Sequence, residues 1–190
     1  MSVAKVTNLP TLICIDIQQG FLDEEAWGGN RNNKDAEVIC ARIINRWRDM
    51  NANIIHVRHS STNPNSKLHE SSEGFKFQPS CAPKDNERVI TKSVNSCFIG
   101  TNLKQVLDDQ NCQSLVIIGL TTDHCVSTTT RMAGNFGYKT YLISDATATF
   151  DKIGIDGTQY DSELIHQTAL ASLNEEFATV INSSELFKLF

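Results

Sequence analysis

The chain has 190 residues, of which 40% are hydrophobic and 21% are charged, and its formal net charge is -5. This length is enough for one well-buried core, so we predict a single domain over residues 1–190. The acidic balance and the thin spread of Lys and Arg exclude a basic face for a phosphate backbone, so nucleic acid is not an expected partner.

No targeting or disulfide pattern is apparent in the sequence. Asp16 interrupts the first apolar run long before a signal segment or a membrane span would be complete, so we expect a cytoplasmic protein with no membrane partner. The six cysteines include no C-x-x-C pair, which argues against a disulfide framework and a structural zinc site. Most of them are therefore predicted to be small buried residues, while Cys81, in a loop, is expected to be exposed and oxidisable.

Apolar runs of strand length alternate with stretches of helical period, a pattern typical of an α/β protein with helices on the faces of a parallel sheet. The predicted strands are Thr11–Ile15, Asn53–Arg58, Arg88–Thr91, Ser114–Gly119, Tyr138–Ser144 and Ala178–Ile181. The predicted helices are Asp35–Met50, Thr101–Asp109, Asp123–Phe136, Ser162–Glu175 and Ser184–Leu189.

Residues 60–85 break this rhythm, because they carry all but one of the prolines and only scattered apolar residues. Long loops inside compact domains are often lids or binding loops. Two interpretations stay open for Phe75 and Phe77: the rings fold over a ligand, or they tuck into the core.

Polar residues follow three of the predicted strands. Asp16 follows TLICI, Lys92 follows RVIT, and the turn that ends in Cys125 follows LVIIGL. Ligands of open α/β sheets bind outside the carboxyl ends of the strands. A carboxylate, an ammonium and a thiol are therefore predicted to meet on one edge of the sheet.

These three groups are suited to nucleophilic catalysis. An ordinary cysteine has a pKa of about 8.5, so its thiol needs activation at neutral pH. A helix that starts at the Cys125 turn, capped by Asp123 or a neighbouring Thr, would stabilise the thiolate and present backbone N–H groups to an oxyanion. Asp16 would accept the thiol proton, and Lys92 would hold the charge of Asp16.

Three segments resemble the isochorismatase-like hydrolases. ICIDIQQGF is similar to the D-x-Q-x-x-F opening of that family, through Asp16, Gln18 and Phe21. ITKSVNSCFIGTNL resembles the block around the family's catalytic lysine, with S-x-F-x-G-T-x-L at Ser96, Phe98, Gly100, Thr101 and Leu103. IIGLTTDHCV is similar to the nucleophile block G-x-x-T-x-x-C-V, at Gly119, Thr122, Cys125 and Val126.

The resemblance implies a three-layer α/β/α, Rossmann-like isochorismatase fold, with a six-stranded parallel sheet of order 3-2-1-4-5-6. It also implies a catalytic group of Asp16, Lys92 and Cys125, and a cis peptide before Thr121 that turns the backbone amides of Thr121 and Cys125 into an oxyanion hole. Together with the long, partly apolar loop, it leads us to expect a homo-oligomer, a dimer or a tetramer.

Two departures from relatives narrow the chemistry. Nicotinamidase-type members carry a D-x-H metal motif, whereas HVRHSSTNPNSKLHES has only His56, His59 and His69, so we predict no metal and no cofactor. Isochorismatases that split a vinyl ether typically have Gly where this chain has Cys125. We therefore predict hydrolysis of an amide or ureido C–N bond through a thioester, with vinyl-ether hydrolysis by Asp16 or redox sensing by Cys125 as alternatives.

The expected ligand is a small-molecule substrate. Besides the catalytic group, the residues predicted to contact it are Gln18, Phe21, His59, Phe75, Phe77 and Phe98, with Trp27 a similar candidate. Gln18 could instead orient the catalytic groups. His166 is expected to be structural, and His124 is expected to point away from Cys125, because adjacent helical residues face different directions.

Overall fold

Six parallel strands form the central sheet of the computed structural model, which describes residues 9–190. They are β1 (Thr11–Ile15), β2 (Ile54–His59), β3 (Arg88–Lys92), β4 (Ser114–Leu120), β5 (Lys139–Ala148) and β8 (Thr179–Ile181). Their order is β3-β2-β1-β4-β5-β8, which confirms the predicted sheet, since β8 is its sixth strand. Residues 1–8 of the predicted domain lie outside the described residues.

Five α-helices cover the two faces of the sheet: α1 (Ala36–Asp49), α2 (Leu103–Asp109), α3 (Ser127–Asn135), α4 (Ser162–Leu173) and α5 (Ser183–Leu189). α1 and α5 contribute to the core on one face, and α2, α3 and α4 contribute to the core on the other. The three-layer prediction is therefore confirmed. None of the helices in residues 9–190 is long and apolar enough to cross a membrane.

The two central strands, β1 and β4, are buried on both faces. Every residue of β1 is buried, and in β4 only Ser114 is partly exposed. This explains why TLICI and LVIIGL read as continuous apolar runs, since a parallel strand covered by helices needs no polar face. Their carboxyl ends lie side by side, because Ile15 pairs with Gly119. The sequence changes to polar residues at this edge, and the candidate site begins there.

Two features differ from the predicted elements. β5 extends to Ala148, well beyond the predicted end at Ser144. A hairpin of β6 (Lys152–Ile153) and β7 (Gln159–Tyr160) forms a separate two-stranded sheet that was not predicted. Strands of two residues are too short to show an alternating pattern, so periodicity could not detect them.

Residues 60–85 connect β2 to β3 and contain two short 3₁₀ turns, Glu73–Phe75 and Pro79–Cys81. The segment packs closely on the turn after β1, because a Cβ at Gly74 would collide with the backbone of Gly20 and Lys67. Cys81 is fully buried, and its Sγ lies 3.4 Å from the carbonyl oxygen of Glu37. The expectation of an exposed, oxidisable Cys81 is therefore wrong.

The two loop phenylalanines pack around one arginine. The Arg58 guanidinium lies 4.4 Å from the ring centre of Phe75 and 5.8 Å from that of Phe77. Phe77 also contacts His56, with 5.9 Å between the ring centres. Side chains alternate between the two faces of a strand, so His56 and Arg58 lie on the opposite face of β2 from His59. Both rings are half-buried, and contact of Phe75 and Phe77 with a substrate stays a prediction.

Candidate active site

The three predicted catalytic side chains meet at the carboxyl edge of the sheet. Lys92 Nζ lies 2.6 Å from Asp16 Oδ2 and 3.3 Å from Cys125 Sγ. All three residues are buried, with Asp16 at 0%, Lys92 at 2% and Cys125 at 8% exposure. Residues from the ends of β1, β3 and β4 are thus brought into contact, as the sequence predicted.

Asp16 leaves the direction of β1 through a left-handed backbone conformation, with φ of 50°. Aspartate tolerates this region better than most residues. Its backbone N–H donates to the carbonyl of Val57 at 2.8 Å, which ties the turn to β2. Oδ2 accepts from Lys92, whereas Oδ1 is buried and has no hydrogen-bond partner among the described residues. The carboxylate therefore has one free acceptor inside the site.

The backbone that carries Cys125 begins at Gly119, where φ is +123° and a Cβ would collide with the carbonyl of Ile15. Only glycine allows β4 to approach β1 this closely while adopting a positive φ. The Leu120–Thr121 peptide is cis, as the resemblance implies. Residues Thr122–Val126 then form a π-helical turn that leads into α3.

The expected cap of this helix is wrong in detail, because no side chain caps the π-helical turn. Asp123 accepts a hydrogen bond from Thr149 Oγ1 at 2.5 Å and lies 3.6 Å from Lys152 Nζ. Its carboxylate therefore connects the nucleophile turn to the end of β5 and to the hairpin. The turn is held by tertiary contacts instead of a local capping bond.

Two histidines near this turn, His124 and His166, lie as expected. His166 is buried and is 2.9 Å from Thr122 Oγ1, so it is a structural residue under the nucleophile turn. The His124 side chain is 56% exposed and lies 3.4 Å from Asp123. It extends to the surface beside Cys125 and does not form a Cys–His dyad.

Burial determines the charges of the catalytic group. Burial, together with the nearby charge of Asp16, raises the pKa of the Cys125 thiol, and Lys92 offsets only part of that rise. Burial also raises the pKa of Asp16. For Lys92 burial is the largest single influence and opposes the charge, but Asp16, Cys125 and Cys97 together outweigh it and raise the pKa, so the ammonium persists. Burial thus opposes the thiolate that the helix start was expected to stabilise, so the thiol needs a base to remove its proton, the part predicted for Asp16.

His59, at the end of β2, belongs to the same cluster. Its Nδ1 lies 3.1 Å from Lys92 Nζ. Burial and the charge of Lys92 lower the pKa of His59, so the imidazole is neutral at pH 7. Gln18 is fully buried and makes two bonds to the backbone of His59, accepting from its N–H at 2.8 Å and donating to its carbonyl at 3.0 Å. Gln18 therefore orients the site, and its bonds leave no donor for a substrate, since it also donates to Phe75.

Three predicted contact residues, Phe21, Trp27 and Phe98, pack in hydrophobic clusters. Phe21 is buried and packs on Trp27 with 4.6 Å between ring centres, in a hydrophobic cluster that includes Phe150 and Leu120. Phe98 packs edge-on against Phe136, with 5.1 Å between ring centres, in the same core cluster as Cys125. Their packing supports the backbone of the site, and contact with a substrate stays a prediction.

The sequence did not single out Asn95, which lies three residues after Lys92 in the KSVNS segment. Its exposed side chain places Oδ1 3.8 Å from Cys125 Sγ. A polar cleft of about 340 Å³ opens beside Lys92 and is lined in part by Ser60, Ser61, Thr62 and Glu70. The sequence signal for Asn95 was its place inside the lysine block, between Lys92 and Ser96.

Within residues 9–190, one group of side chains has the spacing of metal ligands: Asp16, His59 and Cys125 present possible ligand atoms within 4.8 Å of one another. Lys92 Nζ lies 2.6 Å from Asp16, 3.1 Å from His59 and 3.3 Å from Cys125. The ammonium thus supplies the positive charge at the point among these atoms where a cation would bind. Metal independence stays a prediction, and this contact set supports it.

Comparison with known proteins identifies the family. The isochorismatase domain model matches residues 10–185. The uncharacterised isochorismatase family protein YrdC of Bacillus subtilis is 46% identical over 179 residues, covering 94% of this chain and 95% of YrdC. The crystal structure of a hydrolase assigned to the isochorismatase family from Chromobacterium violaceum has a TM-score of 0.91 and 36% identity, and the match covers 99% of this chain and 95% of that one.

Relatives with a named activity are more distant. Streptothricin hydrolase of Streptomyces noursei is 26% identical over 151 residues, covering 79% of this chain and 58% of that protein. Nicotinamidase 3 of Arabidopsis thaliana is 28% identical over 100 residues, covering 53% of this chain and 45% of that protein. The match to the domain over most of the chain, together with the similarity to YrdC, establishes that this chain belongs to the isochorismatase family of hydrolases.

Proposed function

We propose that this hydrolase cleaves an amide or ureido C–N bond of a small molecule through a thioester on Cys125. The observation that carries the proposal is the buried contact set in which Lys92 Nζ lies 2.6 Å from Asp16 Oδ2 and 3.3 Å from Cys125 Sγ. A carboxylate oxygen of Asp16 and the sulfur of Cys125 lie within 4.8 Å of each other in this cluster. Asp16 can therefore accept the thiol proton as the sulfur attacks.

In the first half-reaction, Asp16 takes the proton from Cys125 as the sulfur bonds to the substrate carbonyl carbon. The carbonyl oxygen becomes an oxyanion, which the backbone amides of Thr121 and Cys125 stabilise at the start of the π-helical turn. The C–N bond then breaks, and protonated Asp16 returns its proton to the leaving amine. The products are a thioester on Cys125, a free amine and an ionised Asp16.

In the second half-reaction, water replaces the amine. Asp16 accepts a proton from the water as its oxygen bonds to the thioester carbonyl carbon. The C–S bond breaks, and the sulfur takes the proton back from Asp16. The acid is released, the thiol is restored, and one carboxylate has acted as base, acid and base in turn.

Two observations support a C–N bond. The site has an acceptor, a thiol and an ammonium in contact, which is the set that acyl transfer through sulfur requires. Among the relatives, the name nicotinamidase denotes hydrolysis of an amide.

The two alternative functions, redox sensing and vinyl-ether hydrolysis, account for fewer of these features. A redox sensor needs an accessible thiol of low pKa, whereas burial raises the pKa of Cys125. Vinyl-ether hydrolysis would use Asp16 as the proton carrier and would leave Cys125 without a task. The contact of Lys92 with both Asp16 and Cys125 favours a reaction in which charge moves onto the sulfur.

The test is a screen of small amides and ureido compounds, with intact-mass detection of an acyl adduct on Cys125. Cys125→Ala should abolish the adduct and reduce turnover by several orders of magnitude, comparable to the ~10⁶-fold loss on deletion of a protease nucleophile. Asp16→Asn should be inactive under either hydrolytic mechanism. Substantial turnover by Cys125→Ala, with Asp16→Asn inactive, would replace the thioester mechanism with the vinyl-ether alternative.

A further inference from the structure

The ammonium of Lys92 has one acceptor for each of its N–H bonds. Lysine carries three N–H donors and no acceptor. The three nearest polar partners of Nζ are Asp16 Oδ2 at 2.6 Å, His59 Nδ1 at 3.1 Å and Cys125 Sγ at 3.3 Å. A lysine whose three donors are all engaged has a fixed orientation about its terminal C–N bond.

The position of His59 is fixed by hydrogen bonds to its backbone and by the register of the sheet. Gln18 bonds to both its backbone N–H and its carbonyl, at 2.8 and 3.0 Å. The register of the sheet places His59 directly opposite Lys92 on the adjacent strand. The pKa of His59 is lowered by burial and by Lys92, so its Nδ1 is available as an acceptor at neutral pH.

We infer that His59 is a positioning residue of the catalytic group, whose Nδ1 fixes the Lys92 ammonium so that one N–H bond points at the Cys125 sulfur. This inference rests on the proposed role of Cys125 as nucleophile. When the thiol loses its proton, the negative charge forms on Sγ. The Lys92 N–H bond that stabilises this charge is already aligned with the sulfur. Without His59, one N–H of Lys92 has no buried acceptor, and the ammonium can turn away from the sulfur.

Two substitutions separate this role from a substrate contact. His59→Asn keeps an acceptor close to the position of Nδ1, whereas His59→Leu removes it. Alkylation of Cys125 by chloroacetamide, followed by peptide mapping across pH, measures the thiol without any substrate. Steady-state kinetics on the best amide from the screen measure kcat and KM. His124→Ala is the matched control, since it removes an exposed imidazole next to the nucleophile.

We expect His59→Leu to slow alkylation at neutral pH and to lower kcat, each by about ten- to hundredfold, the range for loss of a hydrogen bond to a charged group. KM should change by less than about twofold, because ground-state binding is not affected. His59→Asn should recover most of both rates, and His124→Ala should match the unmodified protein. The Leu variant should also move the alkylation profile to higher pH.

Two results would overturn the inference. One is a raised KM in His59→Leu with unchanged alkylation, which would make His59 a substrate contact. The other is equal loss in the Asn and Leu variants when circular dichroism shows both to be folded, because the acceptor would then be irrelevant. Failure of the proposed function looks different: Cys125→Ala would keep its turnover, while the alkylation profiles of the His59 variants would still report on Lys92.

Discussion

Replacing Lys92 with methionine tests whether the catalytic carboxylate depends on a buried ion pair. Met has a similar length to the lysine side chain but no charge. Asp16 is 0% exposed and lies 2.6 Å from Lys92 Nζ, so the substitution leaves a buried carboxylate without a counter-charge. Burial already raises the pKa of Asp16, and loss of the ammonium raises it further. The ionised fraction of Asp16 at neutral pH should therefore fall, and with it the capacity of Asp16 to act as a base.

The geometry gives the size of the effect. Unit charges 2.6 Å apart attract by about 6 kcal/mol at an effective dielectric constant of 20. Desolvation offsets part of this attraction, and removal of one partner of a buried pair typically costs about 3–5 kcal/mol. We therefore expect Lys92→Met to lose about 3–5 kcal/mol of unfolding free energy at pH 7. The loss should shrink at acidic pH, where Asp16 is protonated in both the folded and unfolded states.

Urea unfolding followed by tryptophan fluorescence measures this change, since Trp47 is fully buried. Lys104→Met is the control, because Lys104 and Asp108 form an exposed pair one helical turn apart, and such pairs contribute little to stability. The double variant Asp16→Asn/Lys92→Met should regain most of the stability but none of the turnover. If Lys92→Met destabilises no more than Lys104→Met, the buried ion pair is refuted.

Four further predictions concern pH, metals, stability and assembly. Activity should be lost as pH falls through the raised pKa of Asp16, so the apparent pKa of the acid limb of kcat/KM should lie above the ordinary aspartate value of about 3.9. An apparent pKa near 3.9 would contradict this. Prolonged chelation should leave the rate unchanged, and loss restored by zinc or iron would show that the contact set holds a metal. Burial raises the pKa of Glu87, but hydrogen bonds from Arg48, the backbone of Lys84 and His56 hold it at about 2, so Glu87→Gln should lose about 1–2 kcal/mol at pH 7 once the shift is discounted for solvent screening. That difference should fade as pH drops below about 4.3 towards the folded pKa, as denaturant curves at several pH values would reveal. Light scattering should report a dimer or tetramer at micromolar concentration, and a monomer would count against the expected self-association.

The contact of Asp16, Lys92 and Cys125 could be predicted from the sequence because strand ends are visible in it. The apolar runs before Asp16 and Cys125 are buried strands, and the run before Lys92 is the partly exposed strand β3. Parallel strands bring their carboxyl ends to one edge of the sheet. The resemblance then supplied the order of the strands, which periodicity alone does not determine. Gly119 shows why one motif residue is glycine: a side chain there would collide with the backbone of β1.

Other features depend on three-dimensional contacts that the sequence does not reveal. The two hydrogen bonds between the Gln18 side chain and the His59 backbone join residues 41 positions apart in the chain. The packing of Phe75 and Phe77 on Arg58 depends on the path of residues 60–85, whose turns follow no periodic pattern. The sequence also does not reveal that burial and the charge of Asp16 raise the pKa of Cys125, against the helix start that was expected to stabilise its thiolate.

A neutral thiol beside an ionised Asp16 has a consequence for how Lys92 acts in catalysis. Proton transfer moves one negative charge from Asp16, 2.6 Å from Nζ, to Cys125, 3.3 Å from Nζ. At an effective dielectric constant of 20 the attraction to the ammonium changes only from about 6 to about 5 kcal/mol, and the site never holds two negative charges. Lys92 therefore stabilises the site before and after the transfer to a similar extent. The thiolate can then form at the moment of attack, although burial disfavours it in the resting enzyme.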